Sequence, residues 1–76
     1  MEQIIGQIKK SDTTVARISL SDYKGKSYVN IREWYTRDNK DWYPSNKGIA
    51  FETSHISELV TLTEQAEEAI MKGTKT

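Results

Sequence analysis

No cysteine occurs in this chain, so neither a disulfide framework nor a thiolate metal site is available to it. There is one histidine, His55, and a zinc site would find no second imidazole. Long apolar runs are missing as well. The longest extend a few residues, against the roughly 20 that cross a bilayer, and the N-terminus lacks a charged region followed by an apolar one. The chain therefore reads as soluble and cytoplasmic, with no membrane partner. Glycine is scarce, and Gly6, Gly25, Gly48 and Gly73 are too scattered for a phosphate-cradling loop. Their spacing suits turns and a helix end. Repeats and low-complexity tracts are absent.

The 76 residues make one domain, 1–76, with a frayed tail expected over about 73–76. A domain of this size buries a modest share of its surface, and small domains compensate with disulfides, metals or oligomerisation. The first two are excluded here, so a homodimer is expected.

The formal net charge is zero, which runs against the basic excess of most nucleic-acid binders. The distribution is uneven, however. From Arg17 to Lys47 seven cations face four anions, and from Glu52 to Lys72 five anions face one cation. Such asymmetry can hold a basic face inside a neutral protein, although charge alone favours ordinary solvated surface charge.

Thr14 to Tyr23 and Lys26 to Tyr35 alternate apolar and polar residues and are rich in Val, Ile, Tyr and Trp, the pattern of half-buried strands. The polar stretch from Thr36 to Lys47, with the single proline Pro44, reads as a loop. A short strand, Gly48-Ile49-Ala50-Phe51, follows. A helix then opens with Thr53 or Ser54 as N-cap, carries Ile56, Leu59, Val60, Thr63, Ala66 and Ile70 on one face, and stops at Gly73. Ile4, Ile5 and Ile8 suit an edge strand better than a helical turn in this β-rich context. The fold class is α+β: a four-stranded antiparallel sheet followed by one C-terminal helix, ββββα.

A two-residue turn at Lys24-Gly25, with Gly25 supplying the positive φ, pairs Tyr23 with Lys26, Ser21 with Tyr28, Ser19 with Asn30 and Arg17 with Arg32 on one face. The other face then pairs Leu20 with Val29 and Ile18 with Ile31, so burial pins the same register. Trp34 extends the first face, which alternates aromatic and cationic groups. Arg17 and Arg32 directly opposite one another should repel unless an anion or a carboxylate lies between them. Single-stranded nucleic acid suits this inventory, since Arg and Lys neutralise phosphates and aromatic rings stack on unpaired bases. An aromatic stripe also packs against helices and subunits, but a face built for packing would seldom interleave Lys26, Asn30 and Arg32.

No catalytic constellation is visible. His55 has a solvated or capping position, and Glu64, Glu67 and Glu68 fall outside the apolar stripe of the helix. An enzyme, a cofactor, a metal and a small-molecule substrate are all unexpected.

Three separated motifs, Tyr23-Lys24-Gly25-Lys26, Val29-Asn30-Ile31-Arg32-Glu33-Trp34-Tyr35, and Pro44 followed by Lys47-Gly48-Ile49-Ala50, resemble the transcriptional coactivator positive cofactor four and its bacterial YdbC-type relatives. The likeness covers Ile18 to Phe51 by motif and the helix by position. It implies four antiparallel strands and a helix, homodimers formed through helix and sheet, and binding of single-stranded DNA with little sequence preference. It further implies that Tyr23, Lys24, Lys26, Arg32, Trp34 and Lys47 contact DNA. Asn46 stands where the family tends to place a second basic residue, while Trp42 and Tyr43 add aromatic surface. The acidic, serine-rich leader of the eukaryotic coactivators has no counterpart here, which favours a bacterial-type binding domain.

The expected function is that of a homodimeric, sequence-independent single-stranded DNA-binding protein supporting transcription, replication or repair, with RNA as an alternative ligand. Its expected binding set is Arg17, Tyr23, Lys24, Lys26, Tyr28, Asn30, Arg32, Trp34, Trp42 and Lys47. The expected dimer interface is Ile56, Leu59, Val60, Thr63, Ala66 and Ile70. A protein-interaction module using the same aromatic and basic face is the rival reading.

Overall fold

The computed structural model describes residues 2–73. Four strands, β1 (Gln3–Ser11), β2 (Thr14–Tyr23), β3 (Lys26–Thr36) and β4 (Trp42–Glu52), form one antiparallel sheet in the order β1-β2-β3-β4. A short 3-10 turn, Thr53–His55, leads into the helix α1 (Ile56–Met71). The ββββα architecture is the one the sequence predicts, and β1 is the edge strand expected from its isoleucines.

The β2–β3 hairpin carries the predicted register, from Tyr23 opposite Lys26 through Leu20 opposite Val29 to Arg17 opposite Arg32. Both turn residues are left-handed, Lys24 at φ 51° and Gly25 at φ 79°. That pair of positive angles gives a two-residue connection whose twist matches the strands it joins. Only Gly25 takes the conformation without steric cost.

Two boundaries differ from the sequence expectation. The stretch 36–47 is not a single loop: β3 continues to Thr36, β4 begins at Trp42, and Trp34, Tyr35 and Thr36 pair with Pro44, Tyr43 and Trp42. Pro44 is accommodated because β4 lies at the sheet edge, where a missing N–H is tolerated. The connection that remains is closed locally. The Asp38 carboxylate accepts from the backbone N–H groups of Lys40 (2.9 Å) and Asp41 (3.1 Å), and the Thr36 hydroxyl accepts from Asn39 N–H (3.0 Å). These bonds, that from Asp41 first, hold the Asp38 carboxyl below its ordinary range. At the helix start, Thr53 and Ser54 belong to the 3-10 turn and no side chain caps the first α-helical turn. The other end is as expected: Gly73, at φ 75°, donates its N–H to the Ile70 carbonyl. Residues 74–76, the rest of the expected frayed tail, lie outside the described residues.

Packing within one chain is thin. Val15, 4% exposed, is the one buried apolar residue among those described. The sheet face bearing Ile18, Leu20, Val29 and Ile31 is half-buried at best, and Ile49 beside it is 55% exposed. Within one chain the helix does not lie across this face. It meets the sheet near Phe51, where His55, Glu58, Leu59 and Leu62 border a cavity of about 430 Å³, and makes almost no other contact with the strands. Val60 stays exposed and Ile70 is 72% exposed, while the Thr63 hydroxyl is satisfied within the helix by the Leu59 carbonyl at 2.9 Å. The 3-10 turn redirects the chain, so an apolar helix face and an apolar sheet face are both left open. The radius of gyration, 14.7 Å, exceeds the roughly 11 Å of a compact chain of this length.

Substituting Gly25→Ala is expected to destabilise the fold by about 1–2 kcal/mol, the cost of an L side chain in the left-handed region. Urea unfolding checks this, and an unchanged midpoint would show that the turn relaxes to another type.

Candidate nucleic-acid interface

The period-two geometry of β2 and β3 puts Arg17, Ser19, Ser21 and Tyr23 on the same face as Lys26, Tyr28, Asn30, Arg32 and Trp34. The register of β4 adds Trp42 and Pro44 to that face. Its centre is a groove of about 450 Å³ lined by Glu2, Arg17, Ser19, Ser21, Asn30, Arg32, Trp34 and Pro44. Four of the predicted residues, Arg17, Asn30, Arg32 and Trp34, therefore converge.

The remaining six are distributed around the groove. Tyr23, Lys24 and Lys26 cluster at the hairpin tip, with the Lys24 ammonium 5.3 Å from the Tyr23 ring centroid. Lys26 lies 4.0 Å from Glu52, an exposed pair of little energetic weight. Tyr28 is half-buried opposite Ser21 and Glu52, and Trp42 is half-buried on the same face outside the groove lining. Lys47 is not part of the groove. It lines a shallower cavity of about 270 Å³ with Tyr35, Pro44, Ser45 and Asn46, and Pro44 is the wall the two cavities share. Trp42 and Tyr43, read together as extra stacking surface, are consecutive strand residues and point to opposite faces. Tyr43 instead meets Tyr35, ring centroids 5.8 Å apart, and the Arg37 guanidinium lies 5.7 Å from the Tyr35 ring.

The expected repulsion between Arg17 and Arg32 is resolved without a carboxylate between them. The Arg17 guanidinium lies 4.0 Å from the Trp34 ring centroid, and its Nε donates to Gln7 Oε1 at 3.2 Å. Arg32 turns the other way and donates from Nη1 to the Ser45 carbonyl at 2.8 Å. Among the described residues neither guanidinium is ion-paired. The groove floor is polar and satisfied: Asn30 Nδ2 donates to Ser21 Oγ at 2.8 Å, and Ser19 Oγ donates to Glu2 Oε2 at 2.7 Å. Such a surface offers cationic edges, an aromatic ring and amide and hydroxyl groups.

Ser19, Ser21, Gln7, Glu2 and Pro44 belong to the site and were missing from the sequence-derived set. The hairpin pairing already placed both serines on the correct face. Gln7 and Glu2 gave no signal, because they arrive through β1, whose register shifts between Ile4 and Gly6 and again between Lys9 and Ser11.

Gly48 sets the position of Arg32. It lies directly opposite Arg32, and a Cβ there would come within 3.0 Å of the Ile31 carbonyl oxygen and 3.1 Å of the Arg32 Cα and Cβ. Immediately beyond it the ladder is irregular, with Glu33 alone on β3 facing Ser45, Asn46 and Lys47 on β4. That bulge presents the Ser45 carbonyl to Arg32. On the opposite face Glu33 is ion-paired with Lys10, whose bond, the largest cause, holds the Glu33 carboxyl below its ordinary range.

The family described as Transcriptional Coactivator p15 (PC4) matches residues 10–62. A Caenorhabditis elegans protein named as an RNA polymerase II transcriptional coactivator is 36% identical over 69 residues, covering 80% of this chain and 56% of its own length. The RNA polymerase II transcriptional coactivator KELP of Arabidopsis thaliana is 36% identical over 56 residues, covering 74% of this chain and 33% of its own length. The chain thus spans about half of one curated relative and a third of the other. The crystal structure of a PC4 homolog from Burkholderia pseudomallei superposes with a TM-score of 0.79 at 26% identity, over 86% of this chain and 88% of that one. The bacteriophage T5 homolog of the same coactivator shares the fold, with a TM-score of 0.61 at 19% identity over 96% of this chain and 82% of that one.

Replacing Gly48→Ala forces β4 away from Arg32 and is expected to cost about 1–3 kcal/mol in urea unfolding, as overpacking does. Wild-type stability would mean that the two strands part freely. For Glu33, a folded pKa below the unfolded one gives stability present above the unfolded pKa and lost as pH falls through the folded value. An NMR titration should find the Glu33 carboxyl titrating at lower pH than in a Lys10→Gln variant, and coincident curves would refute the ion pair.

Proposed function

This chain belongs to the Transcriptional Coactivator p15 (PC4) family, and from that membership we propose that it is a non-catalytic protein that binds single-stranded DNA as a homodimer, without sequence preference. The observation that carries this reading is the uncovered groove lined by Trp34 and by Arg17 and Arg32, which have no ion partner among the described residues. Phosphates satisfy the guanidinium edges and unpaired bases take the stacking surface, a combination that duplex DNA, with its bases already stacked, matches poorly. The groove accepts any base, since ring faces carry no base identity. Tyr23, Lys24, Lys26 and Tyr28 extend the path toward the hairpin tip, and Trp42 and Lys47 continue it past Pro44.

A second copy of the chain supplies what a single copy lacks. Ile18, Leu20, Val29, Ile31 and Ile49 present an apolar sheet face, and Ile56, Leu59, Val60, Thr63, Ala66 and Ile70 present a helix stripe, and among the described residues both are left incompletely covered in one chain, with Leu59 alone of the stripe bordering the cavity beside Phe51. Covering each large side chain is worth about 1.5–3 kcal/mol. Dimerisation through these surfaces leaves both grooves open and doubles the contacts along a strand. The acidic residues of α1 follow the helix and stay off the groove face. No described helix is long and apolar enough to cross a membrane, and the place of action we propose is the cytoplasm, on the nucleoid of a bacterial cell. The names of the curated relatives support a role at transcription, with replication and repair open to the same chemistry.

Tryptophan fluorescence titrated with an oligothymidine of about 20 nucleotides at two salt concentrations tests the proposal, with light scattering for mass. The expected result is quenching at one strand per dimer, weakened by salt with a slope near −3 if about four cations meet phosphates. Arg32→Ala should lower the affinity and the slope together. A folded protein that neither binds nor changes its emission at low salt would overturn this reading in favour of protein recognition by the same face, and a monomeric mass would remove the dimer.

A further inference from the structure

The two groove arginines are held in different ways, and the difference assigns them different work. Arg32 is anchored by one Nη donor to the Ser45 carbonyl, at 2.8 Å, and four of its five N–H groups remain for an incoming anion. Arg17 is held on its Nε side by Gln7 at 3.2 Å and against Trp34 at 4.0 Å from the ring centroid. A guanidinium that pointed an N–H at the ring would keep its central carbon farther out, so Arg17 lies over the ring face. The side-on fork of Nε with its neighbouring Nη, one of the two bidentate modes for phosphate, is taken by Gln7. Arg17 and Trp34 both line the groove.

We infer that Arg17 is a base-stacking residue, backed by Trp34 and positioned by Gln7, whose outer guanidinium plane receives an unpaired base while Arg32 takes the phosphate. This rests on the single-strand reading above and deepens it. A guanidinium is planar, delocalised and weakly hydrated, and nucleic-acid bases stack on it as they do on aromatic rings. Laid on an indole, it is already partly desolvated and cannot rotate freely, so little ordering remains when a base arrives. The opposition of Arg17 and Arg32 across the ladder follows from the same arrangement. One arginine offers its face and the other its edge, and a single nucleotide with one base and one phosphate engages both.

The discriminating substitution is Arg17→Lys, which keeps the charge and removes the plane. Two probes separate the roles: an oligothymidine of about 20 nucleotides and an abasic deoxyribose-phosphate oligomer of the same length. The expected result is at least a ~5-fold loss of oligothymidine affinity, the low end of one stacked base, with the salt slope unchanged and wild-type affinity for the abasic oligomer. Arg32→Ala should instead weaken both probes and lower the slope by about 0.7. Gln7→Ala, which leaves Arg17 in place but frees it, should lose roughly 2-fold or more on oligothymidine alone, about half of one stacking contribution. It carries the test should Arg17→Lys fail to fold by circular dichroism. Full oligothymidine binding by Arg17→Lys, or an equal loss on both probes, would overturn the stacking role while leaving single-strand binding intact. No binding of either probe by the wild type would sink the single-strand reading itself, and this inference with it.

Discussion

The structure depends on the pairing of β2 with β3. This ladder decides which side chains share a face, and it does so through two independent constraints that agree. The left-handed turn at Lys24 and Gly25 fixes the strands at one end, and the Leu20–Val29 and Ile18–Ile31 pairs fix them along their length. A slip of one residue would turn Arg17, Arg32 and Trp34 to the apolar side and bring Ile18 and Ile31 to the polar one. Every later feature inherits this register. Gly48 packs against Arg32 because Arg32 is where the ladder puts it, and Gln7 reaches Arg17 because β1 is laid on β2.

A sheet with two such different faces leaves a single chain incomplete. Its most buried residues among those described, Val15, Ser19 and Thr36, lie on the polar face. The apolar face is the open one. Hydrophobic burial is the main favourable term in folding, so a domain that keeps Ile49, Val60, Leu62 and Ile70 in water is short of the burial that stabilises domains of its size. The proposed ligand site and the proposed dimer surface lie on opposite faces of the same four strands and need not compete.

The hairpin was legible because its signals are local: a glycine at a two-residue turn, flanked by period-two alternation in which both faces demand one register. The groove residues on β2 and β3 followed directly. The start of β4 was illegible because Trp42 to Lys47 shows no alternation and contains Pro44, and its pairing is supported instead by the Asp38 and Thr36 bonds in the connection before it. The β1 contribution was illegible because two register shifts separate sequence position from sheet face, so Gln7 could not be brought to Arg17 by counting. The helix stripe showed that Ile56, Leu59 and Val60 need a cover. An amphipathic pattern carries no information on which surface supplies it, and the strand face of the same chain does not.

The neutral overall charge looks at first like an argument against a polyanionic ligand, but the range of electrostatic forces reverses it. At physiological salt the Debye length is about 8 Å, whereas this molecule extends 39 × 36 × 18 Å. Carboxylates more than a Debye length from the groove are largely screened from a strand lying in it, and the strand would meet the local set of Arg17, Arg32 and Glu2 in the groove and the hairpin lysines beside it. Net charge governs weak, long-range attraction to any polyanion, intact duplex included. A protein that is neutral in sum and basic in one groove forgoes that attraction and keeps the short-range terms, which in the binding mode proposed above are phosphate at Arg32 and a base on Arg17 backed by Trp34. The stacking term requires an unpaired base, so in that proposed mode the missing excess of positive charge works in favour of single strands over duplex.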